Sequence, residues 1–299
     1  MEDLLGQACA LAAAITWAFA LVLFKRSGEQ IPPLALNLFK NAVGIVLLAL
    51  TLLAMGEGVS VLGGFPSGDV YILLLSGIIG IALADTVFFH SLNLLGVGVV
   101  SIVDCAYSPL VIFFSWWLLL EELSVSHYLG AGLILAGVLM ASRVAPPPDR
   151  TRGQLVLGIL LGVSSMAMMA FGIVLAKPVL DDFPLLWATL LRLLAGTLIL
   201  ALLALGSSRR RALWSAFRPS AVWRVSIPAS VLGAYLAMVL WMAGFKYTRA
   251  ALAGILNQTT IIFAIIFASL LLKEPFTRRK AVAVALALAG VVLVTVAPV

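Results

Sequence analysis

Apolar stretches of about twenty residues recur along the entire chain, separated only by short segments that contain glycine, proline or charged residues. A helix of about 20 residues spans the roughly 30 Å hydrocarbon core of a bilayer. Hydrophobic residues make up 63% of the 299 residues and charged residues only 11%, and the mean hydropathy is +1.16. Soluble domains do not have this composition, so we predict an all-α integral membrane protein.

The breaker residues divide the chain into ten predicted transmembrane helices. These helices lie at about 1–24, 34–55, 70–90, 96–119, 126–142, 153–176, 184–206, 222–245, 249–272 and 279–297. The first apolar run follows acidic residues and is too long for a signal-peptide core, so we keep it as a helix. Near the midpoint, the segment VAPPPDRTRG (144–153) is rich in proline and charge. We therefore predict a five-helix repeat at 1–144, a linker at 145–152 and a second five-helix repeat at 153–299.

An internal repeat supports this division, because residues of the same character recur at a separation of 152 positions. The matching pairs are Lys25 and Lys177, Pro32 and Pro184, Lys40 and Arg192, Gly44 and Gly196, and Glu122 and Glu274. Because each half has an odd number of crossings, the second half must enter the membrane from the opposite face. We therefore predict an inverted repeat, which is an architecture of transporters.

Two acidic residues interrupt apolar surroundings in the third and fourth predicted helices. Asp85 and Asp104 lie on either side of a predicted polar turn at 93–96, each roughly 14 Å from it at the rise of a helix. Pro109 removes a backbone amide, which frees the carbonyl of Cys105 beside Asp104. We expect a helix break there and a protein-lined or wet cavity near the middle of the bilayer.

Two basic residues are also intramembrane. Lys40 lies inside the second predicted helix and enters from the face at which the turn between the acids lies, so we predict a contact with Asp85 or Asp104. Snorkelling of the amine to the interface is the alternative. Arg192 has no intramembrane acid in its own half, and a structural role is expected for it.

Further polar residues near the middle of predicted helices are candidates for the cavity wall. They are Thr16, Trp17, Tyr107, Ser108, Ser164, Ser165, Met168, Tyr235, Asn257, Gln258 and Thr259. Serine and threonine often only pack helices or bond back to the preceding turn, so each hydroxyl also has a structural interpretation. Asn257 and Gln258 are different, because side-chain amides are costly where they face lipid.

The other residues that could carry chemistry have simpler interpretations. Glu122 and Glu274 precede the last helix of each half, where capping or loop hydrogen bonds account for them. His90 and His127 lie at helix ends without ligand-spaced partners, and we expect both to be solvated. The two cysteines lie in apolar segments and give no disulfide or metal pattern. We predict no metal and no cofactor.

The distribution of the 19 basic residues predicts the orientation. Fourteen fall in the loops after the first, fifth, seventh and ninth helices, whereas Lys177, Lys246 and Arg249 fall on the other face. The positive-inside rule places the four basic loops in the cytoplasm and both termini outside, in the cell (inner) membrane. Because the basic residues are loop residues, the sequence pI near 9.6 does not indicate nucleic-acid binding.

Residues 84–140 resemble the EamA domain of the drug/metabolite transporter superfamily. The shared features are a short Leu-Gly turn, a mid-span Pro109, an acidic residue before the next helix and a glycine-rich last helix. Residues 248–295 are similar, with Ile261 in place of the proline. The resemblance implies a ten-helix carrier with a central cavity and no ATP-hydrolysing domain, often an exporter of amino acids or other small metabolites.

These observations favour a secondary transporter of small polar or amphipathic metabolites, a monomer whose partners are its substrate and the bilayer. Protons are a candidate coupling ion, because Asp85 or Asp104 could exchange a proton as the hydration of the cavity changes. A facilitative exchanger or channel without proton coupling is the alternative. An intramembrane enzyme is a more distant one, because the HExxH and GxSxG motifs are absent from the sequence.

Overall fold

The computed structural model describes residues 2–28, 31–141, 151–206, 214, 217–271 and 278–296. Within these ranges the chain forms helices and turns and no strand, which confirms the all-α class. The predicted linker at 145–152 lies outside them except for its last two residues. Thr151 and Gln154 form a reciprocal capping pair that starts the next helix, which accounts for the beginning of the second half at this point.

The first half contains six helices with three irregular segments between them. They are α1 (Glu2–Gly28), α2 (Pro33–Ala54), α3 (Ser67–Gly77), α4 (Ala84–Val103), α5 (Tyr107–Leu119) and α6 (Val125–Ala141). A 3₁₀ turn at Val59–Gly64 precedes α3, a π-helical segment at Ile78–Leu83 joins α3 to α4, and a 3₁₀ turn at Asp104–Ala106 joins α4 to α5.

The second half follows the same plan. Its helices are α7 (Arg152–Asp182), α8 (Leu185–Leu205), α9 (Trp223–Ser230), α10 (Met238–Tyr247), α11 (Ala250–Asn257), α12 (Thr260–Leu271) and α13 (Arg278–Val296). A π-helical segment at Val231–Ala237 joins α9 to α10. Helix α7 is longer than predicted, so that Lys177 is a helical residue and not a loop residue.

Six helical stretches in the described ranges are long and apolar enough to cross a membrane. They are Glu2–Phe24, Leu34–Ala54, Ser67–Phe88, Arg152–Asp182, Leu185–Leu205 and Trp223–Tyr247. Four shorter apolar helices, Asp104–Leu119, Val125–Met140, Ala250–Ala264 and Ala281–Val296, fall at the positions of the other predicted spans. Length and composition therefore identify a multi-pass membrane protein.

The predicted turn between the two acids has helical backbone, because α4 runs through it. A straight helix would separate Ser91 from Val103 by about 18 Å. Both side chains nevertheless lie against Gly162 of α7, with Ser91 Oγ 2.7 Å and Val103 Cγ1 2.6 Å from the position a Cβ would take there. The chain therefore reverses its direction between these residues, so Ala84–Val103 is not one straight helix.

Helix irregularities recur at equivalent positions of the two halves. The segment Ile78–Leu83 corresponds, 152 residues later, to 230–235, and the second π-helical segment is Val231–Ala237. The 3₁₀ turn at Asp104–Ala106 corresponds to 256–258, where Gln258 N donates to Ile255 O at 3.2 Å and Thr259 N to Leu256 O at 3.1 Å. Pro109 accounts for the first break but not for the second.

Helices of one half pack against the π-helical segment of the other half. A Cβ at Gly44 of α2 would lie 2.6 Å from the carbonyl oxygen of Ala234, and a Cβ at Gly196 of α8 would lie 2.6 Å from Cβ of Ile81. Gly44 and Gly196 are a repeat pair, so the two contacts are related by the internal symmetry. The glycines allow the close backbone approach that brings the halves together.

Candidate functional site

The Asp85 carboxylate lies at the start of α4, immediately after a π-helical segment, and α2 approaches it. Asn37 Nδ2 donates a hydrogen bond to Asp85 Oδ2 at 2.9 Å. Lys40 is the charged group that interacts electrostatically with Asp85, and its amine lies 5.5 Å from the ring centroid of Trp17. These four described residues include no direct ion pair, so the amide of Asn37 mediates between α2 and the acid.

Three polar side chains share one face of α2, because Asn37, Lys40 and Asn41 are spaced by three and four residues. Asn41 is 0% exposed, and neither its amide nitrogen nor its amide oxygen has a hydrogen-bond partner among the described residues. The side-chain oxygen of Asn37 is also unpartnered there. Buried amides without partners are costly, so this face has unused capacity for a polar ligand.

Asp104 lies at the 3₁₀ turn between α4 and α5. One of its carboxylate oxygens is buried and has no partner in the described part of the chain. Gln258 Nε2 donates instead to the backbone carbonyl of Asp104 at 3.4 Å, so that the two broken helices meet at this point. Asn257, beside Gln258, also has a buried and unpartnered amide nitrogen. The turn therefore places an acid and two amides at the junction of the halves.

The two acids are at similar depth but do not form a pair. Ser165 of α7 donates to Ala84 O at 2.8 Å, and Val103 lies against Gly162, one helical turn away. The partners of the Asp85 carboxylate are Lys40 and Asn37 of α2.

Arg192 of α8 is only 2% exposed and joins three helices. Its Nη1 atom donates to Ser76 Oγ at 2.6 Å and to Gly172 O at 3.1 Å. The guanidinium carbon lies 5.9 Å from the ring centroid of Trp241, and Tyr107 interacts with Arg192 electrostatically. The hydroxyl of Tyr107 contacts the indole of Trp241 without the geometry of a hydrogen bond.

The predicted hydroxyl residues have different positions. Tyr235, in the second π-helical segment, contacts Thr51 of α2 by a hydroxyl hydrogen bond of 2.8 Å, which links the halves. Thr16 donates to the carbonyl of Ala12 at 2.7 Å and so has a local structural partner. Ser108 is buried beside Tyr107.

On α7, Ser164 is exposed, whereas Ser165 is buried against α4. Met168 lies one turn after Ser164 and is half-buried.

Comparison with known proteins decides the family. A model of the EamA-like transporter family matches residues 4–143 and 156–296. The chain belongs to the EamA-like transporter family. The family points to a transport role rather than to an enzyme.

Two individual similarities agree with this assignment. The "Uncharacterized transporter YoaV" of Bacillus subtilis (strain 168) is 30% identical to this chain over 142 residues, which are 46% of this chain. The matched region spans about half of that relative's own length, namely 46%. A solved structure described as "Crystal structure of protein" is similar with a TM-score of 0.80 and 21% identity, covering 96% of this chain and 95% of the other. The latter similarity supports the fold.

Some contacts of this EamA-like transporter were not predicted from its sequence. The carboxylate of Glu121, and not that of Glu122, accepts from the backbone N–H groups of Ala250 and Ala251 at 2.8 and 3.0 Å and caps α11. Glu122 contributes its carbonyl to Arg249 at 2.7 Å. The capping partner of this loop lies 129 positions away, so no local pattern could reveal it. Glu274 lies outside the described residues.

The prediction for His127 of the EamA-like chain was wrong. His127 is 0% exposed, and its Nδ1 atom contacts Ser124 N and Ser124 Oγ at 3.2 and 2.7 Å. Its Nε2 atom has no partner among the described residues. His90 is exposed, as expected. The amides of Asn37 and Asn41 could have been found, because they flank Lys40 on the face of an apolar helix.

Proposed function

We propose that this chain is a secondary transporter that crosses the membrane ten times. The two inverted repeats, 1–144 and 153–299, are joined by the linker at 145–152. The protein works as a monomer in the cell (inner) membrane and exports small polar or amphipathic metabolites by alternating access. The observation that carries the proposal is the recurrence of helix breaks at equivalent positions of both halves, next to buried polar side chains with unused hydrogen-bonding capacity.

The physical argument starts from the cost of irregular backbone in a membrane. Freed backbone groups are tolerated at membrane depth only where they are buried in protein or line a cavity. Carriers with inverted repeats bind their substrates at such breaks, near the midplane. Here the breaks bring Asp104 of the first half against Gln258 of the second half. A substrate bound at this junction would contact both halves, and rocking of the halves would expose it to each face in turn.

Counterflow in proteoliposomes tests this function. Vesicles that contain the purified protein are loaded with one unlabelled metabolite at a time, and uptake of the labelled form is followed. A carrier gives transient accumulation of label above equilibrium, whereas a channel only dissipates the gradient and an enzyme changes the compound. Absence of counterflow for every metabolite that the protein releases from cells on overexpression would refute the proposal.

Proton coupling through Asp104 is part of the proposal. Asp85 has Asn37 and Lys40 as partners, whereas Asp104 has a buried oxygen without one in the described part of the chain. A carboxyl group without partners can gain and lose a proton as the hydration of the cavity changes. Transport driven by the substrate gradient alone is the second candidate. It is favoured by the positive charge of Lys40, which can neutralise Asp85 permanently.

Opposite pH gradients across proteoliposomes distinguish these two modes. With matched substrate concentrations, the wild-type protein should transport at different initial rates under the two gradients. Asp104→Asn should abolish the difference, and Asp85→Asn should retain it. A gradient response that survives Asp104→Asn would exclude the proposed role of Asp104, and no response in the wild-type protein would favour the facilitative mode.

A further inference from the structure

The buried guanidinium of Arg192 has no counter-charge in the described part of the chain. None of the described acidic residues forms an ion pair with it, and the atoms that accept its hydrogen bonds, Ser76 Oγ and Gly172 O, are neutral. A charge at membrane depth is costly and is normally paired or functional. The two hydrogen bonds explain how Arg192 is held, but they leave its positive charge uncompensated.

The internal repeat allows Arg192 to be compared with the equivalent residue of the first half. Lys40 is the repeat equivalent of Arg192, and Lys40 has Asp85 as an electrostatic partner. The residue equivalent to Asp85 in the second half is Ala237. Among the described residues, the chain therefore provides a counter-charge for Lys40 but none for the related cation Arg192.

The surroundings of Arg192 suit an organic acid. Trp241 presents its ring at 5.9 Å, and Tyr107 interacts with the guanidinium from the first half. The Tyr107 hydroxyl has no complete hydrogen bond among the described residues, so it is available as a donor. A guanidinium beside aromatic rings can pair with a carboxylate while the rings contact the apolar body of the same molecule.

From this arrangement we infer that Arg192, with Tyr107 and Trp241, forms the subsite that binds the carboxylate of the transported substrate. The inference rests on the proposed transport function and specifies its substrate class as small carboxylates with an apolar or aromatic body. Tyr107 and Gly172 belong to different halves of the chain, so a carboxylate bound here would be held between the halves.

The test is binding to the purified full chain in a neutral detergent, with phenylacetate and phenylacetamide as the probes. The two probes differ only in whether the group beside the ring carries a negative charge. Binding is measured by the rise of the thermal unfolding midpoint over a concentration series. The wild-type protein should bind phenylacetate at least about tenfold more tightly than phenylacetamide, which is what one charge-assisted hydrogen bond contributes.

Variants at the two related cations locate the subsite. Arg192→Gln should bring the ratio of the two affinities close to one, and Arg192→Lys should retain part of the preference because it keeps the charge. Tyr107→Phe should lower the preference for phenylacetate and keep the hydrogen bonds of Arg192 to Ser76 and Gly172. This variant therefore reports on the subsite even if Arg192→Gln does not fold. A purely structural Arg192 would change the midpoint without changing the ratio.

Three outcomes would overturn the inference. The first is an equal response of the wild-type protein to both probes, which includes no response to either. The second is a preference for phenylacetate that survives both Arg192→Gln and Tyr107→Phe. The third is loss of this preference in Lys40→Gln but not in Arg192→Gln. Counterflow without any preference for carboxylates would refute this subsite and leave the transporter proposal intact. Carboxylate binding at Arg192 without counterflow would support this subsite and refute the transporter proposal.

Discussion

Lys40, Asp85 and Asn37 show how two half-buried charges coexist in an apolar helix bundle. The amine of Lys40 does not form a direct ion pair with the carboxylate, and it lies 5.5 Å from the ring centroid of Trp17. Asn37 supplies the hydrogen bond that Asp85 requires. The charges therefore compensate each other through space while an amide satisfies the acid locally, and removing either charge alone should be harmful.

We predict that Lys40→Met lowers the free energy of unfolding by up to about 3 kcal/mol, because it removes the positive charge that compensates Asp85. This value is the lower end of the range for removing one member of a buried charge pair, since Asn37 still donates a hydrogen bond to Asp85. Adding Asp85→Asn to Lys40→Met should recover part of the loss, since no unpaired charge then remains. Thermal unfolding in detergent, followed by fluorescence-detected size-exclusion chromatography, measures both effects. Additive losses in the double variant would contradict the coupling.

The polar residues of this site were largely visible in the sequence, whereas their partners were not. Asp85, Asp104 and Lys40 are conspicuous because charges are rare in apolar helices. Depth along the chain placed the two acids at a similar level, but it could not show that Lys40 interacts with Asp85 and not with Asp104. That choice depends on rotation of the helices about their axes, which tertiary packing determines.

At the scale of helices, close glycine contacts determine how the bundle is assembled. A Cβ at Gly77, at the end of α3, would lie 2.7 Å from the Cα atom of Arg192 in α8, whereas a Cβ at Gly132 in α6 would meet nothing within 4 Å. Both glycines lie in helices, so the same substitution at the two positions separates packing from helix propensity.

Gly77→Ala should therefore destabilise the protein by about 1–3 kcal/mol, because the added methyl group forces two backbones apart. Gly132→Ala should be neutral or stabilising by about 0.5–1 kcal/mol, because alanine has the higher helix propensity. Unfolding midpoints in the same detergent provide the comparison. Equal effects at the two positions would be inconsistent with the close approach of α3 to α8.

The cap of α11 offers a second matched pair. Glu121 binds two backbone N–H groups of α11, whereas the neighbouring Glu122 uses only its carbonyl and has an exposed side chain. Glu121→Ala should cost about 1–2 kcal/mol, the range for a lost N-terminal cap. Glu122→Ala should change the unfolding midpoint little, and the reverse order of the two variants would show that the cap is misassigned.

Helix irregularities were predictable only where a residue type forces them. Pro109 predicted a break, and the 3₁₀ turn at Asp104–Ala106 lies directly before it. The equivalent turn before Thr260 has Ile261 in place of the proline, and the two π-helical segments have no sequence signal. The internal repeat is the one feature that could have suggested the second break from the first.

For the whole molecule, the contacts of loops and helix ends define one end of the bundle. Asp3 accepts a hydrogen bond from Thr248, and Glu121 caps the helix that follows Thr248. Lys246 donates to Leu180 O at 2.7 Å and to Phe183 O at 3.0 Å. The beginning of α1 and the connections before α6, α8 and α11 therefore lie together at this end, which is the arrangement expected if each half crosses the membrane an odd number of times.

The three basic residues at this end are the exceptions to the charge distribution that predicts the orientation, and each has a structural partner. Lys177 pairs with Asp181, Lys246 binds backbone carbonyls at the end of α7, and Arg249 donates to Glu122 O at 2.7 Å. Cations engaged in such bonds are explained by the fold itself. They weigh less against the positive-inside rule than cations without partners would.

We therefore predict that this end is extracytoplasmic, and that 14 basic residues on the other face are cytoplasmic. Alkaline phosphatase fused after Val299 should be active and green fluorescent protein fused there should be dark. The same reporters inserted within the linker at 145–152 should give the opposite pattern, which controls for expression of the fusions. Removing Lys177, Lys246 and Arg249 together should leave the orientation unchanged, because the basic loops of the other face determine it. Active phosphatase at the linker and inactive phosphatase after Val299 would show the opposite orientation. Activity at both sites would contradict the odd number of crossings in each repeat.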